Sequence, residues 1–447
     1  MVFSDSAYEE MLEWLFTRFP SYQRVGNRAF KPGLDTMREF IYRLGSPQSQ
    51  YKAIHIAGTN GKGSVSHMTA SALACCGMKV GLYTSPHLMD FRERMKIISK
   101  TDSGCSYEMI SKEEVFAFME RCREFLDNYN PSFFEITTAM ALEWFRSRSV
   151  DIAVIECGLG GRLDSTNVVN PLLTVITNIG LEHCEYLGHT LEEIAREKAG
   201  IFKQGIPALV GESIPVTRAV FEQVATDVGA SELFFAEELS PFLPISHDEI
   251  DLKGDCQQLN LRTVSAIFAI INNKKGLPDI PDLESNMEKL SNGVSNAAAY
   301  TGLHGRWESL REASNAGGIP DKAPIICDTA HNAHAMRWVR EQIDKISCDY
   351  DNIFFILGVV ADKDVDSIAS YLPRDVQFIF TNSEGERALP AAKLADRLSD
   401  HGINGRITTS VKEALEMADS LAGEEDLIFI CGSNFVVAEV LEIVCSV

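Results

Sequence analysis

Short continuous runs of apolar residues alternate along this chain with longer stretches in which apolar residues recur every three or four positions. The short runs predict buried strands over residues 54–57, 79–83, 151–156 and 172–177. The helical spacing predicts helices over residues 65–76, 113–129, 133–145 and 191–201. Strands that alternate with helices on this scale are typical of a parallel sheet covered on both faces, which predicts an α/β protein.

The same alternation restarts in the last third of the chain. Further strands are predicted over residues 325–328, 353–358, 376–380 and 427–432, with helices that begin near Ala333, Val365, Ala391 and Lys412. The segment 296–302 lies before this restart and is interpreted as a hinge. We therefore expect two domains, residues 1–297 and a smaller α/β domain of residues 298–447.

Three segments are less regular than the rest. Residues 100–106 are polar and predict an exposed loop, and residues 311–324 predict a long hairpin connection. Residues 235–254 are acidic and are interrupted by Pro241 and Pro244, which predicts small antiparallel strands and loops.

The composition narrows the class of protein. A chain of 447 residues exceeds what one hydrophobic core supports. Its 41 basic and 63 acidic residues give a net charge of −22, which would repel a nucleic acid. Eleven scattered cysteines without a CxxC pair suggest neither a zinc cage nor a disulfide framework and are typical of a reduced cytosol. We expect a monomeric cytoplasmic protein that binds neither nucleic acid nor membrane.

A glycine-rich segment follows the first predicted strand. It reads Gly58, Thr59, Asn60, Gly61, Lys62, Gly63, Ser64, and a predicted helix follows it. In this order, backbone N–H groups and a helix N-terminus cradle phosphate oxygens. Lys62 would pair with the β- and γ-phosphates and Ser64 would reach a Mg²⁺ ion. The spacing departs from GxxxxGK[ST], because Gly63 separates Lys62 from Ser64.

Polar side chains also occur where other predicted strands end. Ser85, Glu156 and His183 follow three different strands, and ligands of α/β sheets bind at that edge. Mg²⁺ takes oxygen ligands and keeps waters and phosphates. Ser64 and Glu156 would serve one ion, and His183 a second. A lone histidine is more often structural, so that alternative stays open.

Six segments together resemble the folylpolyglutamate synthase and dihydrofolate synthase family, within the Mur ligase superfamily. They are residues 58–64, 84–88, 133–135, 158–167, 197–203 and 328–332. The resemblance implies a P-loop-containing, Mur-ligase-type central ATPase domain with a parallel sheet, followed by a smaller Rossmann-like α/β domain. It also implies an ATP-dependent ligase: a substrate carboxylate takes the γ-phosphate of ATP, and the amine of L-glutamate then displaces phosphate. Dihydropteroate and reduced folates are the implied substrates.

The resemblance also implies roles for the catalytic and metal-binding residues. Ser64 and Glu156, with Ser85, resemble ligands of a first Mg²⁺, and Glu156 and His183 resemble ligands of a second. Lys198 falls where the family has a carbamylated lysine, which makes Lys198, His183 and Lys62 the candidate catalytic residues. Without the family, Lys198 would be interpreted as a helix lysine that faces solvent.

Further positions resemble nucleotide and substrate contacts. Asn260 resembles an adenine-side asparagine, Arg306 an arginine that clamps phosphates, and Asp328 and His331 contacts to ribose and phosphate. Without the family, Arg306 would be interpreted as a surface ion-pair partner.

Two further residues resemble contacts to the pteroate substrate. The Asp164 carboxylate would bind the N–H groups of a pterin, and Phe134 would stack on an aromatic ring. The alternative for Asp164 is that it caps the turn before Thr166 and Asn167.

The chain departs from the family at several positions. Glu182, Cys184 and His189 stand where the family usually has Asp, Thr and Asp, and Cys256 stands where an aromatic residue is common. These departures keep open a non-catalytic nucleotide-binding relative. A Mur-type ligase acting on a peptidoglycan precursor is the other alternative. Residues 162–164, and the absence of a separate UDP-binding domain before the phosphate loop, argue against it.

Overall fold

The chain folds into two compact units. The computed structural model describes residues 3–21, 26, 31, 33–273, 280–313 and 322–445. Unit 1 contains Met1–His87, Phe91–Asp251 and Gln257–Leu303, and unit 2 contains Leu88–Asp90, Leu252–Cys256 and His304–Val447. The main division therefore follows Leu303, a few residues beyond the predicted boundary between 297 and 298.

The segment that the sequence predicts as a hinge is helical. A short helix, Ala297–Thr301, belongs to unit 1. Two buried side chains hold its end: His67 Nδ1 lies 2.7 Å from Thr301 Oγ1, and Lys96 Nζ donates to the Thr301 carbonyl at 2.8 Å. These contacts pack the segment against unit 1, one turn before the division that follows Leu303, so the hinge interpretation stays a prediction.

An eight-stranded sheet is the centre of unit 1. Its order is β4-β3-β2-β5-β1-β6-β7-β8. The strands are β1 Lys52–Ala57, β2 Val80–Tyr83, β3 Met95–Thr101, β4 Gly104–Met109, β5 Ile152–Glu156, β6 Leu173–Ile176, β7 Ala208–Val210 and β8 Leu233–Phe235. Neighbouring strands pair in parallel from β2 through β5, β1, β6 and β7 to β8. Strand β3 pairs antiparallel with both β2 and β4. The carboxyl ends of β1, β5 and β6 therefore lie at one edge of the sheet.

Two predictions in irregular segments are wrong. The expected exposed loop over residues 100–106 contains the end of β3, a turn at residues 102–103 and the start of β4, where Lys100 pairs with Cys105. Residues 236–254 contain turns and no antiparallel strand. The backbone N–H groups of Phe242 and Leu243 donate to the Ser265 hydroxyl at 2.7 and 3.0 Å instead of to a neighbouring strand.

Helices cover both faces of this sheet. They are Asp5–Arg18, Asp35–Arg43, Lys62–Cys75, Lys112–Tyr129, Phe133–Ser147, Cys184–Leu187, Leu191–Ala199, Pro215–Val228, Gln257–Asn273, Met287–Ser295 and Ala297–Thr301. The helix Lys62–Cys75, called the phosphate-loop helix below, is buried along almost its whole length. It carries small side chains such as Ala70, Ala72 and Ala74, which let neighbouring elements approach closely.

Unit 2 contains a six-stranded sheet of order β13-β12-β11-β14-β10-β9. The strands are β9 Glu308–Arg311, β10 Ile325–Cys327, β11 Ile353–Leu357, β12 Gln377–Phe380, β13 Gly405–Ile407 and β14 Leu427–Cys431. All pairs are parallel except β9 with β10. The helices are Ala333–Ile346, Val365–Ala369, Ala391–Ser399, Val411–Leu421 and Asn434–Cys445.

The α/β fold class is confirmed in both units. The sequence pattern did not predict β3, β4, β9, β13 or the last helix. Strands β9 and β13 are too short, and the last helix is too uniformly apolar, for a clear period. The predicted hairpin connection over residues 311–324 falls partly on residues 314–321, which lie outside the described residues. Among the helices that the structure describes, none is both long and apolar enough to span a bilayer.

Reciprocal side-chain caps fix where several helices begin. At Phe133–Ser147 the Ser132 hydroxyl accepts from the Glu135 N–H at 3.2 Å, and the Glu135 carboxylate accepts from the Ser132 N–H at 2.6 Å. Each bond satisfies a backbone donor that the first helical turn leaves without a partner. The cap therefore sets the position of Phe134, the second residue of this helix.

Replacement of Ser132 by Ala should lower the free energy of unfolding of unit 1 by about 1 kcal/mol, or about 2 °C in Tm, because one N–H loses its acceptor. Scanning calorimetry measures this change. The matched control is Ser6→Ala, which removes an exposed hydroxyl within a helix and should change Tm by less than about 1 °C. Equal changes in Tm for both substitutions would contradict the assignment of Ser132 as the cap of this helix.

Candidate functional site

The phosphate loop lies between β1 and the phosphate-loop helix and is held by residues that follow β6. The Thr59 N–H donates to the Asn178 carbonyl and the Asn60 N–H to Asn178 Oδ1, both at 2.9 Å. The Thr177 hydroxyl donates to the Asn60 carbonyl at 2.6 Å. The loop is therefore fixed before any ligand binds, as a preorganised phosphate cradle requires.

Two glycines of this loop have no room for a side chain. A Cβ on Gly58 would lie 1.8 Å from Thr177 Oγ1, and a Cβ on Gly61 would lie 2.2 Å from Asn260 Oδ1. Gly61 also has a φ of +79° as it caps the phosphate-loop helix. Asn260 is buried and donates to Gln257 Oε1 at 2.8 Å. The structure thus places Asn260 against the phosphate loop, and its predicted adenine contact stays a prediction.

Two lysine side chains converge on one carbonyl of the loop. Lys198 Nζ donates to the Gly58 oxygen at 2.7 Å, and Lys62 Nζ donates to the same oxygen at 3.1 Å and to the Thr59 oxygen at 3.0 Å. Lys198 is 4% exposed, so the interpretation of a solvent-facing lysine is wrong. It is buried because its helix, Leu191–Ala199, packs its last turn against the loop that contains Gly161.

Burial lowers the pKa of Lys198 to about 7. The positive charge of Lys62 lowers this pKa further, whereas the charges of Glu182, Cys157 and Asp164 oppose the shift. About half of the amine is therefore unprotonated at neutral pH, and an unprotonated amine is a nucleophile. Such a lysine inside a phosphate site is a candidate for covalent chemistry.

The candidate metal ligands lie at the same sheet edge. Glu156 ends β5, is 3% exposed, and accepts from the Ser85 N–H at 3.3 Å. Ser64 is buried in the first turn of the phosphate-loop helix. His183 is half-buried and has a φ of +53° where the helix Cys184–Leu187 begins.

No group of three or more His, Cys, Asp and Glu side chains that could hold a metal ion occurs in the part of the chain that the structure describes. Glu156, Ser64 and Ser85 offer one carboxylate and two hydroxyls. Such a set suits Mg²⁺, which fills its remaining positions with phosphate oxygens and water. The pairing of Glu156 with His183 stays a prediction.

The Asp164 carboxylate caps its own loop. Oδ1 accepts from the N–H and the hydroxyl of Thr166, and Oδ2 accepts from the N–H groups of Gly158 and Leu159 at 3.0 and 2.8 Å. These four bonds use all four acceptor positions of the carboxylate. A pterin donor would have to displace one of them, so the geometry favours the capping alternative.

Phe134 lies against this loop. A Cβ on Gly158 would lie 2.5 Å from the Phe134 ring, so only glycine lets the ring rest on the backbone there. On another side the Tyr83 ring is 5.9 Å away, centroid to centroid. Phe134 remains half-buried, and its stacking on a substrate ring stays a prediction.

His55 is a site residue that the sequence did not indicate, because it sits within the apolar run of β1. Its Nε2 lies 2.8 Å from Thr166 Oγ1 and 3.0 Å from Cys157 Sγ. The ring is fully buried, and this burial, with the charge of Lys203, lowers its pKa to about 3. Neutral His55 therefore supports Thr166, which in turn supports Asp164.

Thr177 and Asn178 were also missed as residues that hold the phosphate loop. The signal was present, since both follow a predicted strand at the same sheet edge as the loop. His183 follows the same strand a few residues later, but Thr177 and Asn178 are the residues that hold the loop.

The predicted nucleotide contacts of unit 2 lie in one cluster within that unit. The Arg306 guanidinium donates to the Gly305 carbonyl at 3.0 Å and to the Thr329 hydroxyl. Asp328 accepts from the Trp307 and Ala330 N–H groups, both at 2.8 Å, and His331 Nδ1 lies 2.8 Å from the Thr329 carbonyl oxygen. Burial raises the pKa of Asp328, and the Arg306 charge opposes the shift.

Comparison with known proteins places this geometry in a family. The Mur ligase middle domain matches residues 56–210, and the Mur ligase glutamate ligase domain matches residues 305–434. Folylpolyglutamate synthase of Lacticaseibacillus casei is 31% identical over 91% of this chain and 92% of its own length. The chain belongs to the folylpolyglutamate synthase/dihydrofolate synthase family, within the Mur ligases.

Solved structures of this family have the same fold. The Escherichia coli FolC complex with DHPP and ADP matches with a TM-score of 0.79 and 27% identity, over 98% of both chains. A bifunctional folylpolyglutamate synthase/dihydrofolate synthase with Mn, AMPPNP and L-glutamate bound matches with a TM-score of 0.75 and 27% identity, over 93% of this chain and 95% of the other. The resemblance drawn from the sequence is confirmed.

Not every relative has the same extent. A probable bifunctional folylpolyglutamate synthase/dihydropteroate synthase of Halobacterium salinarum is 31% identical over 92% of this chain. The chain spans only 49% of that relative's length.

Replacement of Gly61 by Ala should weaken ADP binding by about tenfold or more, because the new methyl group meets Asn260 and because φ is positive there. Calorimetric titration with ADP measures the loss. Gly205→Ala is the matched control, since Gly205 has a φ of +72° and no atom within 4 Å of the added Cβ. Equal ADP affinities of the two variants would show that the contact between a Cβ at Gly61 and Asn260 does not affect nucleotide binding.

Proposed function

We propose that this protein is an ATP- and Mg²⁺-dependent ligase that adds L-glutamate to dihydropteroate and to reduced folates. The observation that carries the proposal is the convergence of Lys62 and buried Lys198 on the Gly58 carbonyl, inside a phosphate loop of this family. Relatives are named for both activities, and their structures contain ADP, AMPPNP, Mn, DHPP and L-glutamate.

The residues of the phosphate loop suit phosphoryl transfer. This chemistry needs positioning and neutralisation of charge more than it needs covalent groups from the protein. The loop suits phosphate because Gly58 and Gly61 carry no side chains that would cover its backbone N–H groups. The N-terminus of the phosphate-loop helix, at Lys62, also favours an anion. ATP supplies the γ-phosphoryl group that activates the substrate carboxylate for attack by the amine of glutamate.

Divalent ions are expected to bind between the loop and Glu156. Ser64, Ser85 and Glu156 would hold the first ion, and Glu156 with His183 the second. Glu156 is the buried carboxylate of this set, so its charge supports one ion directly and a second only with help from phosphate oxygens. A Mg²⁺ ion there would screen the phosphate charges during transfer.

The surroundings of Lys198 support its carbamylation. The unprotonated amine attacks CO₂, the N–C bond forms, and one proton is released to solvent. As an ammonium, Lys198 is repelled by Lys62, but as a carbamate it is attracted. The modification thus converts an unfavourable pair of like charges into a favourable pair.

Substrate choice depends on the loop capped by Asp164. Because the four acceptor positions of its carboxylate are occupied, recognition of a pterin by Asp164 requires release of the Gly158 or Thr166 bonds. We propose that Asp164 positions this loop, with Phe134 beside it as the ring-stacking residue. Direct contact of Asp164 with dihydropteroate stays a prediction.

A phosphate-release assay with purified full-length protein, ATP, Mg²⁺ and L-glutamate tests the function. Phosphate release should require dihydropteroate or tetrahydrofolate and should not occur with a UDP-muramoyl precursor. Lys62→Ala should lower kcat by at least about 100-fold, because a cation of the phosphate site is lost. Lys79→Ala, which removes a lysine that donates to the Arg148 carbonyl, should leave kcat unchanged.

Two outcomes would overturn the proposal. Glutamate-dependent release with the UDP-muramoyl precursor alone would identify a Mur-type ligase. Nucleotide binding without release on any acceptor would identify a non-catalytic relative.

The carbamate predicts a separate result. With ¹³C-bicarbonate, an NMR carbamate signal should appear that is absent in Lys198→Ala and present in Lys79→Ala. The signal should grow between pH 6 and pH 8, because the unprotonated fraction rises from about one tenth to about nine tenths across a pKa of about 7. A signal that survives in Lys198→Ala, or activity that is independent of both Lys198 and bicarbonate, would eliminate this role.

A further inference from the structure

Two cysteines lie side by side in unit 1, away from the phosphate loop. The sulfurs of Cys75 and Cys105 are 2.6 Å apart. Cys75 is the last residue of the phosphate-loop helix, and Cys105 lies in β4. Both are free thiols, and they are 4% and 7% exposed. They are thirty positions apart in the sequence, so the packing of the β3–β4 hairpin against the helix brings them together.

We propose that Cys75 and Cys105 form an oxidative modification site, at which a hydroperoxide converts the two thiols into a disulfide that ties the phosphate-loop helix to β4. The Cys75 thiolate attacks the peroxide oxygen, which gives a sulfenic acid and releases water after protonation. The Cys105 sulfur then attacks the Cys75 sulfur, and the sulfenic oxygen leaves as a second water. Two thiols and one hydrogen peroxide thus give one disulfide and two waters.

The surroundings assign a role to each sulfur. One S–H···S hydrogen bond joins the two sulfurs, and either can donate it. With Cys105 as the donor, this bond lowers the pKa of Cys75 with help from the Lys100 charge, whereas burial opposes the shift. The same bond raises the pKa of Cys105. With the hydrogen bond in this direction, Cys75 is the attacking thiolate and Cys105 the resolving thiol.

The neighbouring Cys76 does not compete effectively. It is half-buried, and burial together with the charge of Cys75 raises its pKa to about 11. Its thiolate fraction at neutral pH is therefore small. Cys76 thus provides a matched control that lies one residue from the reactive sulfur.

The link would act on stability more than on the nucleotide site. Cys75 ends a helix of 14 residues whose other end forms the phosphate loop. Because the sulfurs already touch, closing the bond needs little movement of the helix. A link across a thirty-residue loop restricts the unfolded chain, so we expect Tm to rise by several degrees with ADP binding retained. This inference does not depend on the proposed ligase activity.

The test uses reduced full-length protein treated with hydrogen peroxide, then alkylated in denaturant and digested with trypsin without reduction. A cross-linked pair of peptides, residues 63–79 and 101–112, is expected, and dithiothreitol should reverse both the link and the rise in Tm. The first peptide contains both Cys75 and Cys76, so the Cys76→Ser variant shows which of them is linked. This variant should retain the link. Cys105→Ser should lose it.

Other products would overturn the proposal. A Cys75–Cys76 link, complete alkylation of Cys75 and Cys105 after oxidation, or conversion of Cys75 to a sulfinic acid without a link would each do so. The peptide map of the unsubstituted protein decides the matter even if Cys105→Ser folds poorly.

Discussion

The Gly58 carbonyl oxygen is the point on which the phosphate site depends. It accepts hydrogen bonds from Lys62 and Lys198, two cations that would otherwise repel each other. Gly58 itself has room for no side chain, because Thr177 occupies the space where a Cβ would lie. The position of both lysines therefore follows from the close packing of one backbone segment against the end of β6. This arrangement gives a protein of net charge −22 a local positive site for an anionic ligand.

A second constraint operates in the loop that follows β5. His55, Thr166 and Asp164 form a buried chain of contacts, and Asp164 in turn holds the backbone N–H groups of Gly158 and Leu159. Polar groups buried this deeply are costly unless each has a partner. The loop consequently has one well-defined conformation before any substrate binds. A pterin that binds Asp164 directly would have to displace one of these hydrogen bonds.

The sequence predicted most of the parallel strands because they are continuous apolar runs. It located the phosphate loop because a glycine-rich segment between a strand and a helix is typical of phosphate binding. It failed where tertiary contacts override local pattern. Residues 297–301 form a helix whose last residue contacts His67 and Lys96. The polar segment 100–106 contains the ends of β3 and β4 and the turn between them, because these two strands pair. The family resemblance, rather than the helix pattern, singled out Lys198, whose burial depends on the loop at Gly161, thirty-seven positions earlier, which contacts its carbonyl.

The electrostatics of Lys198 explain why this site favours an anion. A pKa of about 7 means that the protein disfavours the ammonium form by roughly 5 kcal/mol relative to the unfolded chain. Between pH 7 and the ordinary lysine value the unfolded chain binds the additional proton, so the free energy of unfolding contributed by this group rises with pH in that range. Below pH 7 the penalty is present in full. A phosphate oxygen or a carbamate beside Lys62 supplies the negative charge that this part of the fold lacks. When the ligand is a phosphate, its charge offsets part of the cost of burying the ammonium, so the bound phosphate and the protonated Lys198 stabilise each other.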